Sequence, residues 1–154
     1  MARKYACPAL FHSAQLTEKE VGLREWDEKG NSTMTNSADL IAITEVVRVY
    51  ATAMTTGNRA DLERIFFENS CEVGHYEGDL LWNSRDDFIK MCEAEADSSL
   101  KAWWEIRNIS IHGDIAVVHV EDVWAGMRFD TILTLLRHED AWRVTAKAYR
   151  IKPQ

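Results

Sequence analysis

Cysteine is scarce in this chain: Cys7, Cys71 and Cys92 are the only three among 154 residues. An odd, sparse set with no CxxC spacing excludes a disulfide framework and fits reduced thiols in a cytoplasm. Basic residues are in deficit. Lys and Arg total 18 against 25 Asp and Glu, a net charge of −7, and no basic stripe stands ready to neutralise phosphates. Partnership with nucleic acid or with an anionic membrane surface is disfavoured on that ground. Long apolar runs are missing as well. None approaches the roughly 18 residues that a membrane span needs. The apolar stretch near the start is broken by Pro8 and stops at His12, unlike a secretory leader. The histidines His12, His75, His112, His119 and His138 include no HxxxH or HExxH pair, so no metal site is expected. No glycine-rich phosphate loop and no nucleophile elbow occurs, and no cofactor is implied.

The hydrophobic share, 46 %, is enough to fill the core of one domain of this length. Six tryptophans hint at an aromatic-lined interior, although plain packing accounts for them equally well. Residues 1–37 read as a polar N-terminal extension, partly helical, that ends in the linker-like run Gly30 to Ser37. Residues 38–154 read as the domain. Leu40, Ile43, Val47, Tyr50 and Met54 recur at helical spacing, with Asp39 placed to cap and Gly57 to stop. A shorter helix follows, capped by Asn58, with Leu62, Ile65 and Phe66 on its apolar face. Cys71, Val73 and His75 then alternate as a strand, and Leu80 to Trp82 returns as a short one. Ser84 to Asp87 is a capping box for a third helix reaching about Ala96.

Everything after Ser99 reads as strand, in four runs: 103–111, 115–124, 127–137 and 142–151, joined by tight turns as an antiparallel meander. The fold class is therefore α+β, with helices gathered on one side of a sheet. The long strands are apolar on both faces. In the third, Phe129, Leu133 and Leu135 point one way, Ile132 and Leu136 the other. One face covers the helices; burying the second calls for another copy, and a homodimer is expected.

In order and spacing these elements resemble the NTF2-like superfamily, the cone-shaped fold of ketosteroid isomerase, scytalone dehydratase and SnoaL-like cyclases. That resemblance implies helices packed on a strongly curved mixed or antiparallel sheet of about six strands. Within the superfamily the chain is most similar to the putative lumazine-binding family. The residues that carry this are Tyr50 to Asn58, Phe67 to Cys71, Gly74 to Gly78, Arg128-Phe129-Asp130-Thr131, and Trp142-Arg143-Val144 with Lys147. The family reads Arg-Phe-Thr-Asp where this chain has Arg128-Phe129-Asp130-Thr131. A one-residue shift turns a strand side chain to the other face.

His75, expected inward with Cys71 and Val73, falls where ketosteroid isomerase carries its carboxylate base by that resemblance, and histidine as a residue type suits proton transfer at neutral pH. Tyr50, on the apolar face of the first helix, takes the place of the same enzyme's oxyanion tyrosine. Asp122 is sent inward by the alternation of Ala116, Val118 and Val120, and a carboxylate in an apolar interior serves as acid or base. Asp130 is the rival carboxylate, and the register leaves open which of the two faces inward. Trp82, Trp104, Trp124 and Cys71 are the candidate ligand contacts. Three functional classes fit: an acid–base isomerase, dehydratase or cyclase acting on a small, largely apolar carbonyl or hydroxyl compound; a binder of such a compound; and a dimeric interaction module whose interior is filled by its own side chains.

Overall fold

A computed structural model describes residues 37–153. All of the expected N-terminal extension except Ser37 lies outside these described residues. The elements run α1 (Ser37–Thr56), α2 (Arg59–Ile65), β1 (Phe66–Tyr76), β2 (Asp79–Ser84), α3 (Arg85–Ala94), β3 (Trp103–His112), β4 (Ile115–Trp124), β5 (Met127–His138) and β6 (Ala141–Ile151).

Local chemistry accounts for most of the boundaries. Asn58 accepts a hydrogen bond from the Asp61 amide, and the Ser84 hydroxyl one from the Asp87 amide, both at 3.2 Å, which starts α2 and α3. Gly57, at φ +65°, stops α1 in the left-handed region. Asp39 departs from its expected capping role. Helix α1 already begins at Ser37, and the Asp39 carboxylate accepts from the Trp142 indole at 2.9 Å and pairs with Arg137 at 3.1 Å. It pins the first turn of α1 to β5 and β6 instead. Phe66, expected on the second helix, is the first residue of β1.

The six strands lie in the order β2-β1-β6-β5-β4-β3. β3 to β6 form the expected antiparallel meander, and β2 pairs antiparallel with β1. β1 runs parallel to β6, which makes the sheet mixed. The inner face of the sheet, meaning the face packed on the helices, presents Ala116, Val118, Val120, Leu133, Leu135 and Val144. These meet Ile43, Val47, Tyr50 and Met54 of α1, Leu62 and Ile65 of α2, and Phe88, Ile89 and Cys92 of α3 in one buried cluster.

The facing of β1 is the reverse of the expected one. Ser70, Glu72 and Gly74 are buried, Cys71 and Val73 are half-buried, and His75 is exposed. The buried positions of β1 are Phe66, Ser70, Glu72 and Gly74, all on the side of the strand that Phe66 turns to the core, and Glu72 is held there by Lys147. Gly74 then has a packing reason. A Cβ there would stand 2.6 Å from the Tyr149 carbonyl oxygen and 2.7 Å from its ring.

Among the described residues no helix is long and apolar enough to cross a membrane.

Candidate functional site

The inward alternation of β4 continues from Val120 to Asp122, whose carboxylate ends up 1 % exposed beneath α1. Helix α1 turns Tyr50 onto it, and β5 turns Thr131; both are 0 % exposed. The Tyr50 hydroxyl donates to Asp122 Oδ2 at 3.0 Å and the Thr131 hydroxyl donates to Oδ1 at 2.7 Å. Burial raises the Asp122 carboxyl above its ordinary value, opposed by the charge of Lys147 and by the two hydroxyl donors. Burial, followed by the Asp122 charge, pushes the Tyr50 phenol well above its own ordinary value. The pair thus joins a carboxyl group that takes up a proton more readily than a solvated one to a phenol fixed as a donor. Each Asp122 oxygen accepts one hydroxyl hydrogen bond and retains the capacity to accept another.

A second polar group stands beside it. Lys147 of β6 donates to Glu72 Oε1 of β1 at 2.7 Å, and the Asn83 amide of β2 donates to Glu72 Oε2 at 3.1 Å. Sequence reasoning did not single out Glu72, Lys147 or Thr131 as site residues. Lys147 alone carried a signal: a charged residue in the middle of an apolar strand, two positions before an aromatic.

The other candidates are dispersed. His75 stands on the outer face of β1, opposite Glu72 and Gly74, so it does not converge with Tyr50 on one site. Asp130 also lies on the outer face. Its carboxylate pairs with Arg150 at 2.7 Å and His119 at 3.2 Å, and Arg150 holds it below the usual carboxylate range. The register question is thereby answered in favour of Asp122. Cys71 is half-buried outward. Trp82, on the outer side across from Val73, is 71 % exposed and lines nothing interior. Trp104 packs against the core and borders a shallow groove with Leu40 and Arg48. Trp124 is the aromatic candidate nearest to Asp122 in the strand. Its indole donates to the Met54 carbonyl at 3.2 Å, and with Thr55, Leu100, Trp103 and Gly126 it lines a cleft of about 280 Å³. Among the described residues no group of three or more potential metal ligands converges.

Residues 38–150 match the model of a family described as "Putative lumazine-binding". The chain belongs to that family. Tyr50, Glu72, Asp122, Thr131 and Lys147 all fall inside the matched span. The family's wider fold is plain from solved structures. An NTF-2 like protein of unknown function from Silicibacter pomeroyi is 56 % identical, with a TM-score of 0.76, over 77 % of this chain and 100 % of that one. NTF2-like proteins of unknown function from Shewanella baltica and Methylobacillus flagellatus are 21 % and 24 % identical, with TM-scores of 0.70 and 0.72. They cover 77 % and 80 % of this chain and 98 % and 100 % of their own, and at that identity they share the fold alone. No curated protein matches the chain. As a member of the NTF2-like superfamily, the domain has a fold that hosts unrelated activities, so function rests on the site.

Proposed function

We propose that this domain binds a small, flat, largely apolar molecule within an NTF2-like cone and that Asp122 exchanges a proton with it. The ligand presents an N–H or O–H group to Asp122, whose two oxygens already accept from the Tyr50 and Thr131 hydroxyls. The single observation behind this reading is the Asp122 carboxylate, buried in an apolar core on two hydroxyl donors and no directly bonded cation. Such a group costs stability unless it serves something else. The base role expected of His75 passes to Asp122, which suits isomerisation, dehydration or aldol-type cyclisation without a cofactor.

Lumazine, planar with ring N–H groups and carbonyls, fits this chemistry and is the probe of choice. Calorimetric titration is expected to give binding that weakens at least about tenfold, or roughly 1.4 kcal/mol, in Asp122→Asn. Proton transfer is read separately, as deuterium exchange at the α-carbon of cyclohexanone in D₂O, accelerated by wild type and not by Asp122→Asn. Equal binding by both proteins, or none by wild type, removes the binding reading. Equal exchange removes the catalytic one.

We propose in addition that the protein is a homodimer across the outer face of the sheet. Trp82, Leu80, Ile115 and Ile132, all on that face, are 71, 62, 51 and 37 % exposed. An apolar sheet face of that kind is ordinarily covered. Ile132→Asp is expected to sediment as a monomer at micromolar concentration; a monomeric wild type ends the proposal.

A further inference from the structure

The inner face carries a polar band that no stretch of sequence contains. β2 gives Asn83, β1 Glu72, β6 Lys147, β5 Thr131 and β4 Asp122, so five neighbouring strands contribute one residue each. Asn83 is the register partner of Glu72, and Glu72 that of Lys147. Thr131 is opposite Tyr149, two residues from Lys147, and Asp122 is two residues beyond Val120, the partner of Thr131. Tyr50 links the middle of the band to its Asp122 end. Its hydroxyl is on Asp122 and its ring centroid lies 5.8 Å from the Lys147 ammonium.

We infer that Lys147 is a positioning residue that sets how readily Asp122 takes up a proton, with Glu72, held by Asn83, as the counterweight that meters its charge. The functional meaning of this rests on the binding reading above: the band selects neutral N–H or O–H donors over anions.

The Lys147 side chain is 6 % exposed and that of Glu72 4 %. The rings of Phe88, Tyr149 and Tyr50 surround the ammonium at 4.6, 4.8 and 5.8 Å. With so little water, its field reaches further than at a surface. Lys147 is the foremost influence holding Asp122 down, ahead of the bonds from Thr131 and Tyr50, while Asp130 on the outer face pushes it up. Tyr149 on β6 and Cys92 on α3 also feel the charge of Glu72, while Glu121, buried next to Asp122 on β4, is on the other face of that strand and is paired with Arg107 and Lys152. Two carboxylates face one ammonium, so the fully ionised band carries one net negative charge. An anionic ligand adds to that charge unless it brings a proton. A neutral donor does not. A buried ion pair that served packing alone would leave Asp122 indifferent to its removal.

The test observes Asp122 itself. In the full chain with ¹³Cγ-labelled aspartate, the Asp122 signal is assigned by its loss in Asp122→Asn, and its titration midpoint is followed without ligand. Lys147→Met is expected to raise the midpoint by about one pH unit or more, Lys147→Arg to leave it near wild type, and Glu72→Gln to lower it. If Lys147→Met fails to fold, the pair variant Glu72→Gln/Lys147→Met leaves no lone buried charge. Its midpoint is expected above wild type, because the cation bears on Asp122 more strongly than Glu72 does. An unchanged midpoint in Lys147→Met and Glu72→Gln, or in the pair variant where Lys147→Met does not fold, overturns the inference. A separate titration with neutral lumazine and with benzoate tests the selectivity. Benzoate binding as tightly as lumazine, without proton uptake, refutes it. Shifted midpoints with no lumazine binding uphold the charge coupling and sink the binding reading alone.

Discussion

Asp122→Asn is the substitution whose sign is least intuitive. The asparagine matches the carboxylate in shape and still accepts one hydroxyl hydrogen bond, but it carries no charge. In the folded protein the Asp122 carboxyl sits above its ordinary value, and burial is the largest cause. In the unfolded chain it titrates near the reference of about 3.9. Between those two values the folded state binds more protons than the unfolded one. Stability therefore falls as pH rises through that window, by about 1.4 kcal/mol per pH unit, and stays lost above it. Below the window wild type and variant are both neutral and differ only in fit, by about 1 kcal/mol or less. The expected result is that Asp122→Asn gains on wild type between about pH 4 and the folded midpoint and is the more stable protein at pH 7.5. For a domain of this size each kcal/mol moves the melting temperature by about 3 to 6 °C. Thermal unfolding of both proteins across pH 4.5 to 8 measures the difference, and titrating groups not coupled to Asp122 cancel in it. A variant less stable than wild type, with a gap that widens as pH rises, would refute the reasoning: Asp122 would then be an anion that the fold requires charged.

Further substitutions test the packing of β1 and its buried ion pair. Ser70 Oγ is buried with no hydrogen-bond partner, so Ser70→Ala is expected to leave stability unchanged or raise it by about 1 kcal/mol in urea unfolding; a clear loss would show that the hydroxyl is satisfied in solution. Gly74→Ala places a methyl group against the Tyr149 ring and carbonyl and is expected to cost about 1 to 3 kcal/mol, whereas Gly78→Ala, where a Cβ meets nothing, pays only for its positive φ. Glu72→Ala strands the Lys147 ammonium and is expected to cost about 3 to 5 kcal/mol, while the charge-free pair variant Glu72→Gln/Lys147→Met stays close to wild type. Equal losses in those two would mean that shape, not charge, matters at the pair.

What was legible in the chain is what depends on near neighbours. The caps at Asn58 and Ser84, the stop at Gly57 and the four-strand meander follow from residues within a few positions of one another. So does the inward facing of Asp122, because β4 alternates without interruption from Ala116. The facing of β1 was not legible. Its pattern of Cys71, Val73 and His75 against Glu72 and Gly74 places the apolar residues inside by hydrophobicity alone. The inward placement of Phe66 at the start of the strand and the parallel pairing with β6 reverse that choice and bury Glu72 against Lys147. The benefit of burying Glu72 exists only once Lys147 is beside it, and the two are 75 residues apart. Tyr50 and Asp122, 72 residues apart, meet for the same reason. Periodicity reports which face of an element is apolar. It cannot report which polar residues from five strands will share one buried band, because that depends on strand order, and strand order is decided only when the sheet closes under its helices.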